Sequence, residues 1–154
     1  MALGAKHAGK PINVYTIVGD GEVEEGECWE AFMFAAHYGL SNLCVVLDRN
    51  HLQIDGTTET VMNSAPLEEK LKAFNFNVVT IDGHDYDQIE AAMQVFHAET
   101  AKPTCIIMDT TKGKGVSYMT NSVDWHGKGP NDDEYKIAIE ELNAAYAALE
   151  QEEN

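Results

Sequence analysis

Positive charge is scarce in this chain. Ten Lys and Arg residues stand against 26 Asp and Glu, a formal charge of −16 over 154 residues. Such a surface repels phosphate backbones and anionic lipid, so nucleic acid and membrane surfaces are poor partners. Long apolar runs are also missing. No stretch approaches the roughly 20 apolar residues of a membrane-spanning helix, and no basic-then-apolar leader opens the sequence. Cysteine is sparse and odd in number. Cys28, Cys44 and Cys105 lie inside apolar segments without C-x-x-C spacing, so they read as buried free thiols in a reducing, cytoplasmic setting rather than as a disulfide or zinc framework. Low-complexity linkers and internal repeats are absent too. The chain is expected to form one domain over 1–154, with 150–154 as a flexible, solvated tail.

What is present is an alternation of strand-like and helix-like segments. Val14–Val18 and Leu43–Leu47 are short, β-branched and bounded by turn residues, as buried strands are. Further strands are expected near Asn77–Ile81 and Thr104–Asp109. The latter is apolar without alternation, as a doubly covered parallel strand should be. Helices are expected from Gly26 to Tyr38, stopped by Gly39; after Pro66, with Leu67, Leu71 and Phe74 on one face; from Tyr86 to Glu99; and from an Asn131–Asp133 cap to about Leu149, with apolar Ile137, Leu142 and Tyr146. Asp48 to Asn63 reads as a turn-rich loop, and Met1–Lys10 as the end of a helix. Trp29 and Trp125 read as packing residues. The order predicts a three-layer α/β/α domain around a mainly parallel sheet.

The chemistry concentrates at strand ends. Gly19-Asp20-Gly21 leaves the first strand, and Asn50-His51-Leu52 leaves the second. If the strands pair in parallel, Asp20 and Asn50 emerge at one carboxyl edge, where open α/β sheets bind ligands. A carboxylate, a side-chain amide and a main-chain carbonyl are hard oxygen donors suited to Mg²⁺, which usually keeps phosphate and water in its octahedron. Gly21 lets its backbone N–H approach a phosphate closely. For the dipeptide alone, an ordinary Asp-Gly turn is the commoner reading. Lys112 opens a Lys-Gly-Lys-Gly turn after the last strand, and His126 lies within Trp-His-Gly-Lys.

These motifs carry a family resemblance. Gly19-Asp20-Gly21 followed by Asn50, 30 residues beyond Asp20, resembles the metal signature of thiamine-diphosphate enzymes. Gly19 to Gly26 with Trp29-Glu30-Ala31, Asp48-Arg49-Asn50, Gln53-Ile54-Asp55-Gly56, Lys112 to Gly115 and Trp125 to Lys128 together resemble transketolases, most of all the amino-terminal subunit of split transketolases. The resemblance implies the thiamine-diphosphate-binding fold, incomplete at its amino terminus, because relatives carry further sequence before this start. It implies thiamine diphosphate with Mg²⁺, or another divalent cation such as Ca²⁺ or Mn²⁺. Asp20, Asn50 and the Leu52 carbonyl are the implied metal ligands. Gly19, Asp20, Gly21, Glu25, Asn50, Leu52, Ile54, Lys112 and His126 are implied cofactor contacts, with His126 and Glu25 as catalytic residues. Glu25, and Glu30 near it, match acids that share protons near a subunit interface. A solvated acidic helix start by itself explains Glu22, Glu24 and Glu27, and is the alternative reading of Glu25.

The implied activity transfers a two-carbon ketol unit from a ketose phosphate to an aldose phosphate. In the family the activating glutamate comes from a separate pyrimidine-binding domain, so the resemblance implies that the chain needs such a domain, in the missing remainder or in a carboxy-terminal subunit, within a homo- or hetero-oligomer, and is inactive alone. The alternatives are a 1-deoxyxylulose-5-phosphate synthase or 2-oxoacid dehydrogenase relative, against which the Trp-His-Gly-Lys block speaks, a non-catalytic partner-binding remnant, and a response-regulator-like module, which offers no role for the Lys112 turn.

Overall fold

Four parallel strands form the sheet that positions everything else. The computed structural model describes residues 1–152, and they divide into two compact units. The first comprises Met1–His51 with Thr58–Thr110; the second comprises Leu52–Thr57 and the residues from Thr111 onward.

In the first unit, helix α1 (Ala2–His7) precedes strand β1 (Val14–Gly19), helix α2 (Gly26–His37) and strand β2 (Leu43–Arg49). A short helix α3 (Thr58–Val61), helix α4 (Leu67–Ala73), strand β5 (Asn77–Asp82), helix α5 (Tyr86–Ala98) and strand β6 (Thr104–Asp109) complete it. The sheet order is β1-β2-β6-β5, with every pairing parallel. Register follows from the hydrophobic pattern. Val45, Leu47, Cys105 and Ile107 face α2 and α4 with Phe32, Ala35, Leu67 and Leu71, while Cys44 and Ile106 face α5 with Ala92 and Phe96. A one-residue slip would exchange the two faces. Leu47, Leu71, Phe96, Ile106 and Ile107 are fully buried, and each such side chain contributes about 1.5–3 kcal/mol by leaving water. Cys44 and Cys105 lie in this core, where burial pushes their thiols up to about 11 and about 12.

Local signals set the helix ends. Gly39 takes φ +53 just past α2, and Lys6 Nζ donates to the Tyr38 and Gly39 carbonyls at 2.7 Å each, a cation at a helix carboxyl end. Asp85 caps α5 by accepting from the Asp87 and Gln88 N–H groups. Trp29 fills the core as expected, against Phe32 and Phe74, with its indole N–H on the Val23 carbonyl.

Strand β1 departs from expectation. It is an edge strand, and Tyr15 (46% exposed) and Ile17 (73%) are not buried. Periodicity reports an apolar run but not how many neighbours cover it. Tyr15 still meets Phe96 edge-on at 5.4 Å.

In the second unit, β3 (Leu52–Gln53) and β4 (Gly56–Thr57) form a small antiparallel hairpin. The stretch from Asp48 to Asn63 is thus a hairpin and a helical turn rather than a plain loop. Helix α6 (Asp132–Glu152) runs past the expected Leu149 end. Residues 150–152 of the expected tail are therefore helical, and 153–154 lie outside the described residues. Asn131 caps α6 as expected. Its side-chain oxygen accepts from the Asp133 and Glu134 N–H groups, while Glu134 accepts from the Asn131 N–H, a reciprocal capping box. Ile137, Leu142 and Tyr146 are exposed; they form no core. No helix among the described residues is long and apolar enough to cross a membrane.

Candidate functional site

Parallel register brings Asp20 and Asn50 to one edge. Gly19 pairs with Asp48 across β1 and β2, and the Asp20 N–H extends the ladder by donating to the Asp48 carbonyl at 3.0 Å. The chain then turns. Glu22 folds back so that its carboxylate accepts from the Gly19 N–H at 2.6 Å, which fixes the Gly-Asp-Gly turn from within. Glu22 therefore has a positioning part that the sequence motif did not reveal.

Asp20 is 2% exposed. Its Oδ2 accepts from the His51 N–H at 2.8 Å and lies 3.5 Å from the hydroxyl of buried Thr58. His51 takes φ +63, a left-handed conformation in which histidine is enriched among non-glycine residues; at this turn its N–H meets Asp20. The other carboxylate oxygen, Oδ1, is buried without a hydrogen-bond partner. Among the described residues only Asn42 Oδ1 shares that condition, and Asn42 precedes β2 at the opposite end of the sheet. Burial pushes the Asp20 carboxyl above its ordinary range, and the His51 N–H acts against that shift.

Asn50 is also buried. Its Nδ2 donates to Asp48 Oδ2 at 3.2 Å, so its amide is oriented with the NH₂ spent on a carboxylate. Asp48 is held in turn by the Thr110 hydroxyl. Beside it Arg49 grips Asp109 through two N–H groups, one of them at 2.7 Å. That guanidinium holds the Asp109 carboxyl below its usual range. Asp48, Thr58 and the His51 N–H were not legible as site residues. Asp48-Arg49-Asn50 carried a signal, but only its last residue is recognisable as a ligand type.

A cavity of about 340 Å³ opens beside Asp20, lined among others by Arg49, His51, Thr58, Glu59 and Glu68. His51 Nδ1 meets Glu59 at 2.7 Å on its rim. Among the described residues no three His, Cys, Asp or Glu side chains cluster as metal ligands. A cation at Asp20 would have one protein carboxylate and would draw its remaining oxygens from an amide, a carbonyl and a ligand. The buried, unpartnered Asp20 oxygen fits that demand, because a hard cation would satisfy it and relieve its desolvation.

Glu25 and Glu30 are placed differently. Both are exposed, Glu25 immediately before α2 and Glu30 within it. The structure does not bring them into the Asp20 cluster.

The second unit carries the other expected residues. Leu52 is half-buried in the β3–β4 hairpin, and Ile54 is exposed at its tip. Lys112 is half-buried. Its carbonyl accepts from the Asn121 N–H at 2.9 Å, closing a loop that contains Gly113 and Gly115 at φ +71 and +97. A Cβ on Gly113 would stand 2.5 Å from the Met119 carbonyl oxygen, so glycine is required there by space and by conformation. His126 is exposed after a 3₁₀ turn at Val123–Trp125. Trp125 packs on Tyr118 at 5.0 Å, and Lys128 lies 4.3 Å over its ring.

Comparison with known proteins accords with this arrangement. A family described as "Transketolase, thiamine diphosphate binding domain" matches residues 6–148. One of the subunits of the apulose-4-phosphate transketolase from Phocaeicola vulgatus is 38% identical over 154 residues, covering 100% of this chain and 55% of that protein. The 6-deoxy-6-sulfo-D-fructose transketolase subunit SqwG of Clostridium sp. is 39% identical over 92% of this chain and 52% of its own length. The chain thus spans about half the length of the curated relatives it matches. Among solved structures, the transketolase of Campylobacter jejuni superposes with a TM-score of 0.87 at 30% identity, over 92% of this chain and 23% of that one.

Proposed function

The chain belongs to the transketolase family, matching its thiamine diphosphate binding domain, and from that premise we propose that it holds a divalent cation, Mg²⁺ foremost, and the diphosphate of the cofactor at the Asp20–Asn50 edge. The observation that carries this reading is Asp20 Oδ1, buried and without a hydrogen-bond partner. Folding places a desolvated carboxylate where no protein donor meets one of its oxygens, and a cation is the partner that supplies the missing interaction.

Charge explains why the cation is needed. Asp20 and Asp48 stand together at this edge, so a free diphosphate would meet carboxylates. A divalent ion held by Asp20 would supply the positive charge that lets the diphosphate sit beside these carboxylates. Asn50 offers its side-chain oxygen while Asp48 holds its NH₂ group. Gly21 carries no side chain, so the backbone of this turn would let a phosphate approach closely. Family resemblance assigns the Leu52 carbonyl to the same ion, Ile54 and Lys112 to the cofactor, and His126 to the reacting oxygens as a hydrogen-bond donor. It also assigns Glu25 to proton sharing across a subunit interface, for which an exposed position in a single chain leaves room.

Bound thiamine diphosphate supplies a nucleophilic carbon able to carry a two-carbon ketol unit. This chain's part is to anchor and orient it. The donor is a ketose phosphate and the acceptor an aldose phosphate. Two of the relatives are subunits by name, and on this reading turnover draws on a pyrimidine-binding domain supplied by the remainder of the protein or by a partner chain.

Calorimetric titration of the folded chain with thiamine diphosphate, with and without Mg²⁺, tests this. The expected result is binding that requires Mg²⁺ and disappears in Asp20→Ala. Absence of binding by the folded chain removes the proposal that this domain holds the cofactor by itself.

A further inference from the structure

Three dipeptides of this chain have the chemistry to rearrange their own backbone. Asp20-Gly21, Asp55-Gly56 and Asp82-Gly83 each set a carboxyl group beside the main-chain nitrogen of a glycine. Glycine has no Cβ to keep that nitrogen away from the carboxyl carbon. Whether the two groups meet is decided by the fold, and the fold treats the three pairs differently.

In the first pair, Asp20 is 2% exposed and its Oδ2 accepts from the His51 N–H at 2.8 Å. Gly21 caps the 3₁₀ turn Glu22–Glu24 at φ −74 and ψ −31, so the carboxylate is buried and the backbone beside it is wound. In the third pair, Asp82 Oδ1 accepts from the His84 N–H at 2.9 Å, and the Gly83 N–H donates to the Asp109 carbonyl at 2.8 Å. A Cβ on Gly83 would stand 2.6 Å from the Thr110 methyl, so this glycine is wedged as well as hydrogen-bonded. The middle pair has a free carboxylate. Asp55 is exposed in the turn of the β3–β4 hairpin, beside Ile54, which is 70% exposed. No hydrogen-bond donor or cation among the described residues meets its carboxylate. Each strand of the hairpin has only two residues, so little holds the turn closed.

We propose that Asp55–Gly56 is a modification site, at which the chain isomerises spontaneously to isoaspartate. Starting from the protonated carboxyl, the Gly56 nitrogen bonds to Asp55 Cγ. A C–O bond of the carboxyl group breaks, and the hydroxyl leaves with the nitrogen's proton as water. The product is a cyclic imide. Water then opens the ring at one of its two carbonyls and a proton is released. Opening at Cγ restores aspartate. Opening at the Asp55 main-chain carbonyl carbon frees that group as a carboxylate and leaves Gly56 bonded through Cγ. The water lost in the first step is regained in the second, so no oxidant, reductant or enzyme is needed.

The consequence reaches Asp20. The isomer carries its main chain through Cβ and Cγ, which lengthens the backbone by one atom between paired positions Gln53 and Gly56 and so disturbs their register. The chain leaves the first unit at His51 and returns at Thr58, where the Thr58 N–H donates to the His51 carbonyl at 3.0 Å. Both residues also touch Asp20 Oδ2, through the His51 N–H and, at 3.5 Å, the Thr58 hydroxyl. Isomerisation at the hairpin tip therefore loosens the closure that holds the Asp20 carboxylate.

Ageing the full chain at neutral pH in heavy-oxygen water, followed by peptide mapping with electron-transfer fragmentation, tests the proposal. Ring opening writes a heavy oxygen into each residue that has passed through the imide. The expected result is label and isoaspartate at Asp55 at least about tenfold above Asp20 and Asp82, both of which must open locally first. In urea the three pairs convert at similar rates, because only the fold distinguishes them. Asp55→Glu abolishes conversion at this position, since the larger ring it would need closes slowly. Hydrogen exchange followed by NMR shows the His51 and Thr58 amides exchanging at least about tenfold faster in the isomerised population, while Asp55→Glu aged in parallel keeps them protected. Absence of label at Asp55 in the folded chain, once the unfolded control has converted, overturns the proposal. So does label at Asp20 or Asp82 at the rate of Asp55, or a bias toward Asp55 that persists in urea. Conversion at Asp55 with unchanged exchange at His51 and Thr58 overturns its connection to Asp20.

Discussion

The two units place their functional residues by different means. In the first, Asp20 and Asn50 meet because β1 and β2 pair in parallel register. They are then fixed by partners drawn from several parts of the chain: Asp48, the His51 N–H, buried Thr58 and Thr110. In the second, Lys112 and His126 are held by short-range turns, the Lys112–Asn121 loop and the 3₁₀ turn before His126, and His126 stands in solvent. A sheet edge preorganises a group by burying it, at the cost of its desolvation. A turn preorganises a group through backbone conformation alone, and leaves its side chain able to move.

The largest expected effect separates the two kinds of support. Ile107 is fully buried between helices on β6, whereas Ile137 on α6 is 48% exposed. Ile107→Ala is expected to cost about 2–5 kcal/mol of unfolding free energy by lost transfer and a residual cavity. Ile137→Ala is expected to stay within about 0.5 kcal/mol. Urea denaturation followed by circular dichroism measures both. Equal losses would mean that α6 packs as tightly as the sheet, and the contrast would fail.

A smaller effect tests the turns themselves. Gly113 combines φ +71 with a Cβ position 2.5 Å from the Met119 carbonyl oxygen. Gly113→Ala is expected to cost about 1–3 kcal/mol, the usual range for a residue held in a disfavoured backbone region. The same exchange at Gly26, where nothing stands within 4 Å and φ is not positive, is expected to be neutral or mildly stabilising through the unfolded chain. If the two variants melt alike, the Lys112 loop is not held by its glycine.

The legibility of the sequence divides along the same line. The four strands and long helices were readable because apolar period and turn residues coincide with real ends, as at Gly39, Asp85 and Asn131. The Asp20–Asn50 juxtaposition was readable too, because parallel pairing of two adjacent strands leaves little freedom in where their ends emerge. The exposure of β1 was not, since an apolar run looks the same at an edge as at a centre. Asp48 and Thr58 were also hidden. Each is an ordinary residue type: Asp48 has its part by accepting from the Asn50 amide and the Thr110 hydroxyl, and Thr58 by standing beside the Asp20 carboxylate, 38 residues away in sequence (58 − 20). The hairpin at Leu52–Thr57 is only two residues per strand, too short for any period to register. The exposed apolar residues of α6 had the spacing of a core face, and only burial distinguishes the two.

The smallest effect probes how the second unit binds α6 to its loop. Glu141 accepts from the Ser117 N–H at 2.7 Å and from the Ser117 hydroxyl. The hydroxyl first, then the N–H, holds the Glu141 carboxyl below its ordinary range. Between the lowered folded value and the ordinary unfolded one, the unfolded chain binds more protons than the folded chain, so stability rises with pH across that window. The contribution is complete above the unfolded glutamate value and is lost as pH falls through the folded one. Ser117→Ala removes the larger of the two donors. Carboxyl-carbon NMR is therefore expected to show Glu141 titrating closer to an ordinary glutamate in the variant, with a correspondingly shallower acid loss of stability in urea. Because the pair lies at the surface, the shift should shrink as salt is raised. An unchanged Glu141 titration in Ser117→Ala would mean that the hydroxyl is not what holds the carboxylate.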